Sequence, residues 1–519
     1  MSKRACRCCR PVSSRPRLWL LLALLSAMLA AGCAPLYYPA APPLATHLPV
    51  RDQAGDCARY FAALDKAVEE AGVADRQARR IPGFPYLRVN RFLASYSNRD
   101  LEEKPAMDAW TDRMLALDRE ARKAEIANLP EALRKGLYDS AGQPDLRQRV
   151  ATCGELLRNI DLESADNRKL LRTRASVPPN YSTAKSVLGI YPLTSLFIRL
   201  GIARYRRSVR ETNRIELDRL PITGHLVRYL PPAGDTPAAK AETILQRAAR
   251  NPLGIPELKV AEQRRLFLAF APVWEIDVGG DFDRPGTPNW DDGRLPEVVP
   301  GMPRVYTLLS FTRFRGEVLL QLNYVIWFSE RPLAGIFDIL GGRLDGLIWR
   351  VTLDRQGAPL IYDSIHNCGC YHKFFPGPDL TARKQKAVSS EPILVPQQAP
   401  ELVGDQKMVI RVASRTHYID RVYADRQRTG EENVTYDLTD YNILRSLPTP
   451  EGHRSLFGPD ALVPGSERGE RWLLWPTGVS SPGAMRQWGN HATAFFGRRH
   501  FDDPDLLERL FAPQNPAAQ

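Results

Sequence analysis

The spacing of apolar residues changes once along this 519-residue chain, and that change restricts the folds that it can adopt. In the first half, apolar residues such as Phe61, Leu64 and Val68 recur every three or four positions, which is typical of amphipathic helices. From residue 261 onward, short runs of β-branched and aromatic residues follow one another, separated by turn sequences such as Arg315-Gly316. The sequence therefore predicts an α+β fold, with helices first and an antiparallel sheet afterwards.

The same patterns predict individual elements and divide the chain into five regions. Helices are predicted over residues 56–70, 107–137, 146–160 and 504–511. Strands are predicted over residues 266–270, 305–314, 317–328, 347–353, 360–365, 408–412, 418–423 and 434–438. The regions are a signal peptide at 1–32, a proline-rich tether at 33–50, a mainly helical region at 51–260, an antiparallel β-rich domain at 261–445 and a C-terminal segment at 446–519.

The N-terminus carries the features of an export signal. Six Lys and Arg residues and no acidic residue precede an apolar run over residues 18–31, which is shorter than the roughly 20 residues that span a bilayer. The run ends in Ala31-Gly32-Cys33, and the segment resembles a bacterial lipoprotein signal peptide. The resemblance implies acylation of Cys33, cleavage before it and, because Ala34 follows, anchoring on the periplasmic side of the outer membrane. The alternative is an ordinary secretory signal that contains a cysteine by chance.

The positive charge of the chain is concentrated in this signal. Lys and Arg outnumber Asp and Glu by 71 to 59, giving a net charge of +12. Removal of residues 1–32 leaves a net charge of only +6. The expected partner is therefore the membrane, reached through the N-terminal lipid, together with other envelope components, and no nucleic-acid partner is expected.

The cysteines separate by position into groups with different predicted roles. Of the eight, three lie within the signal and Cys33 is the predicted site of lipidation. Cys57 and Cys153 both lie on helical patterns, and in an oxidising periplasm they are predicted to form a disulfide. Two buried free thiols are the alternative at these positions.

The last two cysteines belong to the segment with the clearest potential for chemistry. His366, Cys368, Cys370 and His372 alternate with other residues directly after a predicted strand. An extended chain would spread them too widely for one metal, so a bend at Gly369 is required before they can converge. The preferred hypothesis is a zinc or copper site. A labile Cys368–Cys370 disulfide and a structural thiol pair are the alternatives.

Histidines later in the chain could complete such a site. Six of the eight histidines lie between residues 366 and 500. His417 and His491 are the candidate general bases, although a hydrogen-bonded structural role is the commoner one for a single histidine. An acidic loop that contains Asp281 and Asp283 matches a calcium-binding template only in part, because Pro285 stands where a ligand is expected, so a solvated loop is preferred there.

Residues 186–205 form the most apolar part of the chain after the signal. Arg204, Arg206, Arg207 and Arg210 follow or overlap its end. A buried core helix is the simpler interpretation, and a helix lying at an anionic membrane surface is the alternative.

Two functional hypotheses follow from the sequence. The first is a metal-dependent envelope enzyme, hydrolytic or oxidative, that uses the His-x-Cys-x-Cys-x-His segment. The second is a non-catalytic binding or assembly lipoprotein with structural cysteines. The sequence contains no nucleophile elbow, no phosphate-binding glycine loop and no zincin helix, which excludes the commonest serine-hydrolase, nucleotide and zincin mechanisms.

Overall fold

A computed structural model describes residues 53–99, 101, 103–137, 145–189, 191–233, 238–290, 294–384, 390–426 and 432–514. The predicted signal peptide, the tether and the lipidation site Cys33 lie outside the described residues.

The helices of the described residues lie mostly in the first half of the chain, as predicted. They are α1 (Gln53–Glu70), α2 (Arg91–Ala94), α3 (Lys104–Asn128), α4 (Glu131–Lys135), α5 (Leu146–Glu163), α6 (Ala165–Arg174), α7 (Thr183–Leu188), α8 (Tyr191–Arg214), α9 (Ala238–Arg247), α10 (Val260–Phe270), α11 (Arg471–Leu474) and α12 (Leu506–Leu510). Short 3-10 helices occur at Leu217–Arg219, Asp281–Asp283, Tyr441–Arg445 and Trp475–Thr477.

The strands of the described residues lie mostly in the second half of the chain. They are β1 (Arg79–Ile81), β2 (Phe84–Val89), β3 (His225–Leu230), β4 (Val273–Val278), β5 (Gly286–Trp290), β6 (Pro296–Pro300), β7 (Arg304–Phe314), β8 (Glu317–Arg331), β9 (Gly342–Leu353), β10 (Pro359–His366), β11 (Lys373–Pro376), β12 (Leu380–Ala382), β13 (Met408–Val412), β14 (Ile419–Ala424), β15 (Glu432–Thr435), β16 (Asp437–Asp440), β17 (Leu447–Thr449), β18 (Gly452–Arg454) and β19 (Phe511–Pro513). The α+β prediction is confirmed.

The N-terminal helical unit packs α1, α3 and α5 against the β1–β2 hairpin. Its core contains Phe61, Trp110 and Leu157, which are completely buried. The structure contains the predicted disulfide between Cys57 on α1 and Cys153 on α5, with the two Cα atoms 5.1 Å apart. Closing a loop of this length stabilises a fold by about 4 kcal/mol, chiefly by restricting the unfolded chain.

A buried ionic network lies beside that core. The Arg88 guanidinium donates to Asp118 at 3.0 Å and to both carboxylate oxygens of Glu125 at 2.8 Å. Arg122 lies 3.3 Å from the same Glu125 carboxylate. Since every charge in this network faces an opposite charge, the unit can bury them without leaving one uncompensated.

The largest sheet has eight strands and is centred on β8. Its strand order is β11-β10-β9-β8-β5-β6, and β7 also pairs with β8 and carries β16 on its other side. All residues of β8 from Val318 to Phe328 are buried, as expected for a strand covered on both faces.

A second sheet of five strands faces the first across a shared core. Its order is β14-β13-β4-β3-β15, and Trp274 and Ile410 from it pack in one cluster with Trp349 and Val351 of the first sheet. Both sheets are mixed, because β13–β4, β15–β3 and β16–β7 are parallel, whereas their other strand pairs are antiparallel as predicted. More than a hundred residues separate the two strands of each parallel pair, which gives the long connections that parallel pairing requires.

The C-terminal segment covers the opposite face of the large sheet. Trp488 and Phe501 pack there with Ile348 of β9 and Ile365 of β10. This segment therefore belongs to the β-rich core, although it contains little regular structure.

Two local predictions differ from the structure. Residues 266–270, predicted as a strand, form the end of helix α10, because a five-residue apolar run has no period that distinguishes strand from helix. The Glu262 side chain accepts from the Lys259 backbone N–H at 2.7 Å and stabilises the start of that helix.

Leu196 and Leu200 of α8 are each 61% exposed, so α8 is not the buried core helix expected for residues 186–205. Among the described residues, no helix is both long enough and apolar enough to cross a membrane.

Candidate functional site

The His-x-Cys-x-Cys-x-His segment forms the turn of the β10–β11 hairpin. The His366 N–H donates to the Cys370 carbonyl at 3.0 Å, and the Gly369 N–H donates to the His366 carbonyl at 2.7 Å. Gly369 has a φ of +94°, so the predicted bend is present at the predicted residue. A side chain at this position would also place its Cβ 2.6 Å from the Ala492 carbonyl oxygen, which explains the requirement for glycine.

The bend does not bring the two histidines together, because the sheet separates them. Asp345 is the carboxylate nearest His366, while His372 Nε2 lies 2.7 Å from Asp363 Oδ2. Asp363 pairs in register with Arg350, five residues beyond Asp345 on β9. Since side chains alternate along a strand, Asp345 and Asp363 point to opposite faces of the sheet.

The predicted metal ligands therefore divide between two environments. On one face, His372 and Asp363 form a network with Arg350, which donates to both Asp363 oxygens at 2.8 and 2.6 Å. Burial lowers the pKa of His372 to about 4. Cys368 and Cys370 are buried thiols without a disulfide in the core beneath the C-terminal segment, and Cys368 Sγ accepts from the Cys370 N–H at 3.4 Å. Within the described ranges, no three His, Cys, Asp or Glu side chains are placed to hold a metal ion.

Asp345 is the centre of a second cluster, on the face between the two sheets. Its Oδ2 lies 2.8 Å from His417 Nδ1, and its Oδ1 lies 3.4 Å from His366 Nδ1. Burial opposes ionisation of Asp345, but the two imidazoles outweigh it and hold the pKa of this carboxyl well below its usual range. Asp345 is therefore an anion that orients two histidines.

His417 lies between two carboxylates. Besides its bond to Asp345, its Nε2 lies 3.3 Å from Asp283 Oδ1, and its ring stacks on Phe328 with centroids 3.9 Å apart. Burial favours the neutral ring, but these two carboxylates raise the pKa of His417. Because both ring nitrogens face acceptors, His417 is poorly suited to accept a proton from substrate. Its backbone has a left-handed φ of 52°.

Asp283 comes from the loop that was compared with a calcium template. Its carboxylate accepts from Gly279 N–H at 2.8 Å, Ser414 Oγ at 2.7 Å and Arg415 N–H at 2.7 Å. The loop is thus tied to the segment before β14, and Asp283 is buried instead of solvated.

His366 differs from His417 because only one of its ring nitrogens is engaged. Its Nδ1 faces Asp345, whereas its Nε2 makes no hydrogen bond to any residue that the structure describes. Burial lowers the pKa of His366, and the Asp345 charge offsets this only in part. The ring is therefore neutral near neutral pH, with its proton on Nδ1 and its lone pair on Nε2.

Two tyrosines pack against the His366 ring, and a third packs against both of them. The ring centroids of Tyr371 and Tyr418 lie 4.9 and 5.7 Å from that of His366, and Tyr205 of α8 packs against both at 4.9 and 5.3 Å. All three tyrosines are partly exposed, so this aromatic cluster reaches the surface of the protein. Burial raises the pKa of Tyr371 and Tyr418, which keeps both phenols protonated.

Arg331, at the end of β8, supplies a positive charge beside these phenols. Its Nη2 lies 3.4 Å from the Tyr418 hydroxyl, and its guanidinium carbon lies 5.2 Å from the Tyr418 ring centroid. Its remaining N–H groups make no hydrogen bond to a described residue. Glu470 lies near Arg331. Burial raises the pKa of the Glu470 carboxyl to about 7, although the positive charge of Arg331 acts to lower it.

His491 lies apart from this cluster. It is buried beside Trp488, with ring centroids 6.2 Å apart, and burial followed by the Arg486 charge lowers its pKa to about 3. No contact with Asp345, His366 or His417 is found for it among the described residues. Of the two candidate general bases, one is therefore fully engaged and the other is remote.

Sequence reasoning selected His366 but missed the residues that surround it. Tyr371 and Tyr418 adjoin the histidines of interest in sequence, and Asp345 is an acid at the edge of an apolar strand, which is a recognisable signal of a buried partner. Arg331 carries no such signal.

The site combines a neutral imidazole oriented by a carboxylate, protonated phenols and a guanidinium with free donors. This set can accept a proton, donate a proton and bind an anionic group. The chain matches no protein-family model, no curated protein and no solved structure, so its residues alone indicate its chemistry.

Proposed function

We propose that this protein is a cell-envelope hydrolase that acts on an anionic substrate, with His366 as the general base. The observation that carries the proposal is the His366 Nε2 lone pair, free of hydrogen bonds to described residues and backed by Asp345 through Nδ1. Perturbed titratable groups that cluster beside partly exposed aromatic residues are characteristic of catalytic sites.

Each residue of the cluster has a distinct role in the proposed reaction. His366 Nε2 accepts a proton from a water molecule as the water oxygen attacks the substrate, and Asp345 stabilises the imidazolium that forms. Tyr418 donates its hydroxyl proton to the leaving group. The His366 imidazolium then gives its proton to the Tyr418 phenolate, so that both groups regain their starting states. His417 is a positioning residue, because it holds Asp345 from the side opposite His366.

Arg331 is the basis for an anionic substrate. Arg331 is almost buried, at 9% exposure, and its guanidinium retains donors that no described residue accepts from. A carboxylate or phosphoryl group could accept two parallel hydrogen bonds from such a fork.

The activity can be tested with a panel of chromogenic carboxylate and phosphate esters. His366→Asn retains a donor toward Asp345 but removes the lone pair, so we expect a rate at least about 100-fold lower with an unchanged unfolding transition. The matched control is His225→Asn, which alters an exposed histidine. Equal rates for His366→Asn and the unmodified protein, or no hydrolysis of any member of the panel, would contradict the proposal.

A non-catalytic binding or assembly lipoprotein is the second candidate. It is favoured by the burial of Cys368 and Cys370 in the core, which suits a structural role for both thiols. Elemental analysis of the purified protein separates both candidates from the zinc or copper hypothesis for His366, Cys368, Cys370 and His372. One equivalent of either metal, lost in a Cys368→Ser/Cys370→Ser variant, would support that hypothesis against them.

Attachment to the outer membrane through acylated Cys33 is part of the proposal. It is supported by the resemblance of residues 1–33 to a lipoprotein signal. Cys33→Ser should release the protein from the outer-membrane fraction of cells, since thioether lipidation requires the cysteine sulfur. Unchanged fractionation would overturn this assignment.

A further inference from the structure

Large apolar side chains are exposed on four neighbouring segments of the surface. Ile336 and Phe337, in the loop between β8 and β9, are 93% and 89% exposed. The other members, each at least half exposed, are Val187 and Leu188 on α7, Leu196 and Leu200 on α8, Trp472 and Leu473 on α11, and Leu333 in the same loop as Ile336. We call these nine residues the apolar face.

Direct contacts join the four segments into one surface. The Glu470 N–H donates to the Ile339 carbonyl at 3.0 Å, which places the start of α11 against the β8–β9 loop. The chain continues from α11 into the 3-10 helix Trp475–Thr477, which contacts both α7 and α8. Directly after this 3-10 helix, the Gly478 carbonyl accepts from the Ser182 N–H at the start of α7 at 2.7 Å.

Basic residues border this face. On α8 the exposed positions Leu196, Leu200, Arg204 and Arg207 follow one another at helical spacing, so the same side of the helix changes from apolar to basic along its axis. The change from Leu200 to Arg207 takes about 10 Å at the rise of an α-helix. On α11 the Arg471 guanidinium lies 4.8 Å from the Trp472 ring centroid.

A groove of about 650 Å³ lies beside the basic half of α8. Phe496 and Ile202 are among its apolar lining residues, and five arginines and two glutamates also line it. The arginines are Arg199, Arg206, Arg207, Arg210 and Arg214. Their excess of positive charge favours an anionic group in the groove.

We propose that the apolar face docks on a bilayer surface that contains anionic phospholipid. Apolar side chains that include a tryptophan, next to a basic border, are the arrangement that inserts at the headgroup boundary of anionic membranes. The basic groove accepts the phosphate of a lipid headgroup, while Ile336 and Phe337 enter the acyl region. The inference goes beyond the proposed hydrolase and does not depend on it.

Docking would also orient the molecule. Arg415, two residues before His417, donates to the carbonyl of Leu333 in the apolar face at 3.0 Å. Tyr205 of α8 lies against both other tyrosines of the site. The docked face therefore adjoins the tyrosines that pack beside His366.

Docking is measured with a fluorophore at the apolar face itself, because attachment through the N-terminus would hold the protein at the membrane whether or not this face docks. The full-length protein is reconstituted in vesicles with an environment-sensitive fluorophore on Ile336→Cys, and a second preparation carries it on Lys135→Cys in the N-terminal helical unit. In vesicles that contain phosphatidylglycerol, we expect a blue shift and quenching by lipid-borne quenchers at residue 336 and neither at residue 135. Vesicles of phosphatidylcholine alone should give a much smaller response at residue 336.

Charge reversal provides the second arm. Arg204→Glu/Arg207→Glu, whose two sites are exposed, should lower the ratio of docked to undocked molecules by roughly 30-fold or more. A thermal unfolding curve checks that this variant folds. The proposal is overturned if residue 336 behaves like residue 135. It is also overturned if the fluorophore responds to protein concentration without vesicles, which would identify a second copy as the occupant.

Discussion

Two buried glutamates in this molecule have opposite ionisation behaviour. In the helical unit, burial opposes the charge of Glu125, but Arg88 bonds both of its oxygens and holds its pKa far below the usual range. Beside the sheet, burial raises the pKa of Glu470 to about 7, although Arg331 and two other arginines lie in its surroundings. No hydrogen bond to the Glu470 carboxyl is found among the described residues.

The comparison separates a structural network from a candidate catalytic one. Both regions are buried and both contain arginines, so neither burial nor charge distinguishes them. They differ in how far the guanidinium is engaged, because each nitrogen of the Arg88 guanidinium donates to Asp118, Glu125 or a backbone carbonyl, whereas Arg331 keeps donors that bind no described residue. A guanidinium whose nitrogens are all engaged holds its partners in the fold, and one with spare donors retains groups that can bind substrate.

The largest effect is expected when the ionic network around Arg88 in the helical unit is broken. Glu125→Gln leaves Arg88 and Arg122 without one of their anions, and we expect the free energy of unfolding to fall by about 3 to 5 kcal/mol. Urea denaturation at neutral pH measures this change. Glu131→Gln on exposed α4 is the matched control and should have no measurable effect. A loss below about 1 kcal/mol for Glu125→Gln would place this network with ordinary surface pairs.

A smaller effect of opposite sign is expected at Glu470. A carboxyl whose folded pKa is raised contributes stability below its unfolded pKa of 4.5 and loses it as the pH rises through the folded value of about 7. Glu470→Gln removes that dependence. Relative to the unmodified protein, the variant should therefore gain up to about 3 kcal/mol between these two pH values. Stability curves that run parallel over this range would show that Glu470 is bonded like Glu125.

Much of the fold could be predicted from sequence because its elements carry strong local patterns. The spacing of Phe61, Leu64 and Val68 predicted α1, and the disulfide between Cys57 and Cys153 was predicted because both lie on such helices. The prediction of a strand at residues 266–270, the end of α10, was wrong, since a short apolar run before Ala271 fits either a strand or a helix. Parallel pairing of β4 with β13 depends on contacts more than a hundred residues apart, which no local pattern encodes.

The candidate site was predicted only in part, for a related reason. The histidine-rich segment and its bend at Gly369 were found from sequence, but strand register decides what each histidine meets. Register places Asp345 on the face of His366 and Asp363 on the face of His372. A local motif cannot reveal which face each histidine occupies. One site that contains both His366 and His372 was therefore expected, whereas the sheet separates them into two.

The difference between engaged and available groups is tested most directly by nitrogen-15 NMR of histidine side chains, assigned with His366→Asn and His417→Gln. At neutral pH we expect His366 as the neutral tautomer with a proton on Nδ1 and none on Nε2, because only Nδ1 faces Asp345. We expect His417 as a cation protonated on both nitrogens, because a carboxylate faces each of them. A cationic His366, or a His366 with its proton on Nε2, would contradict its role as general base.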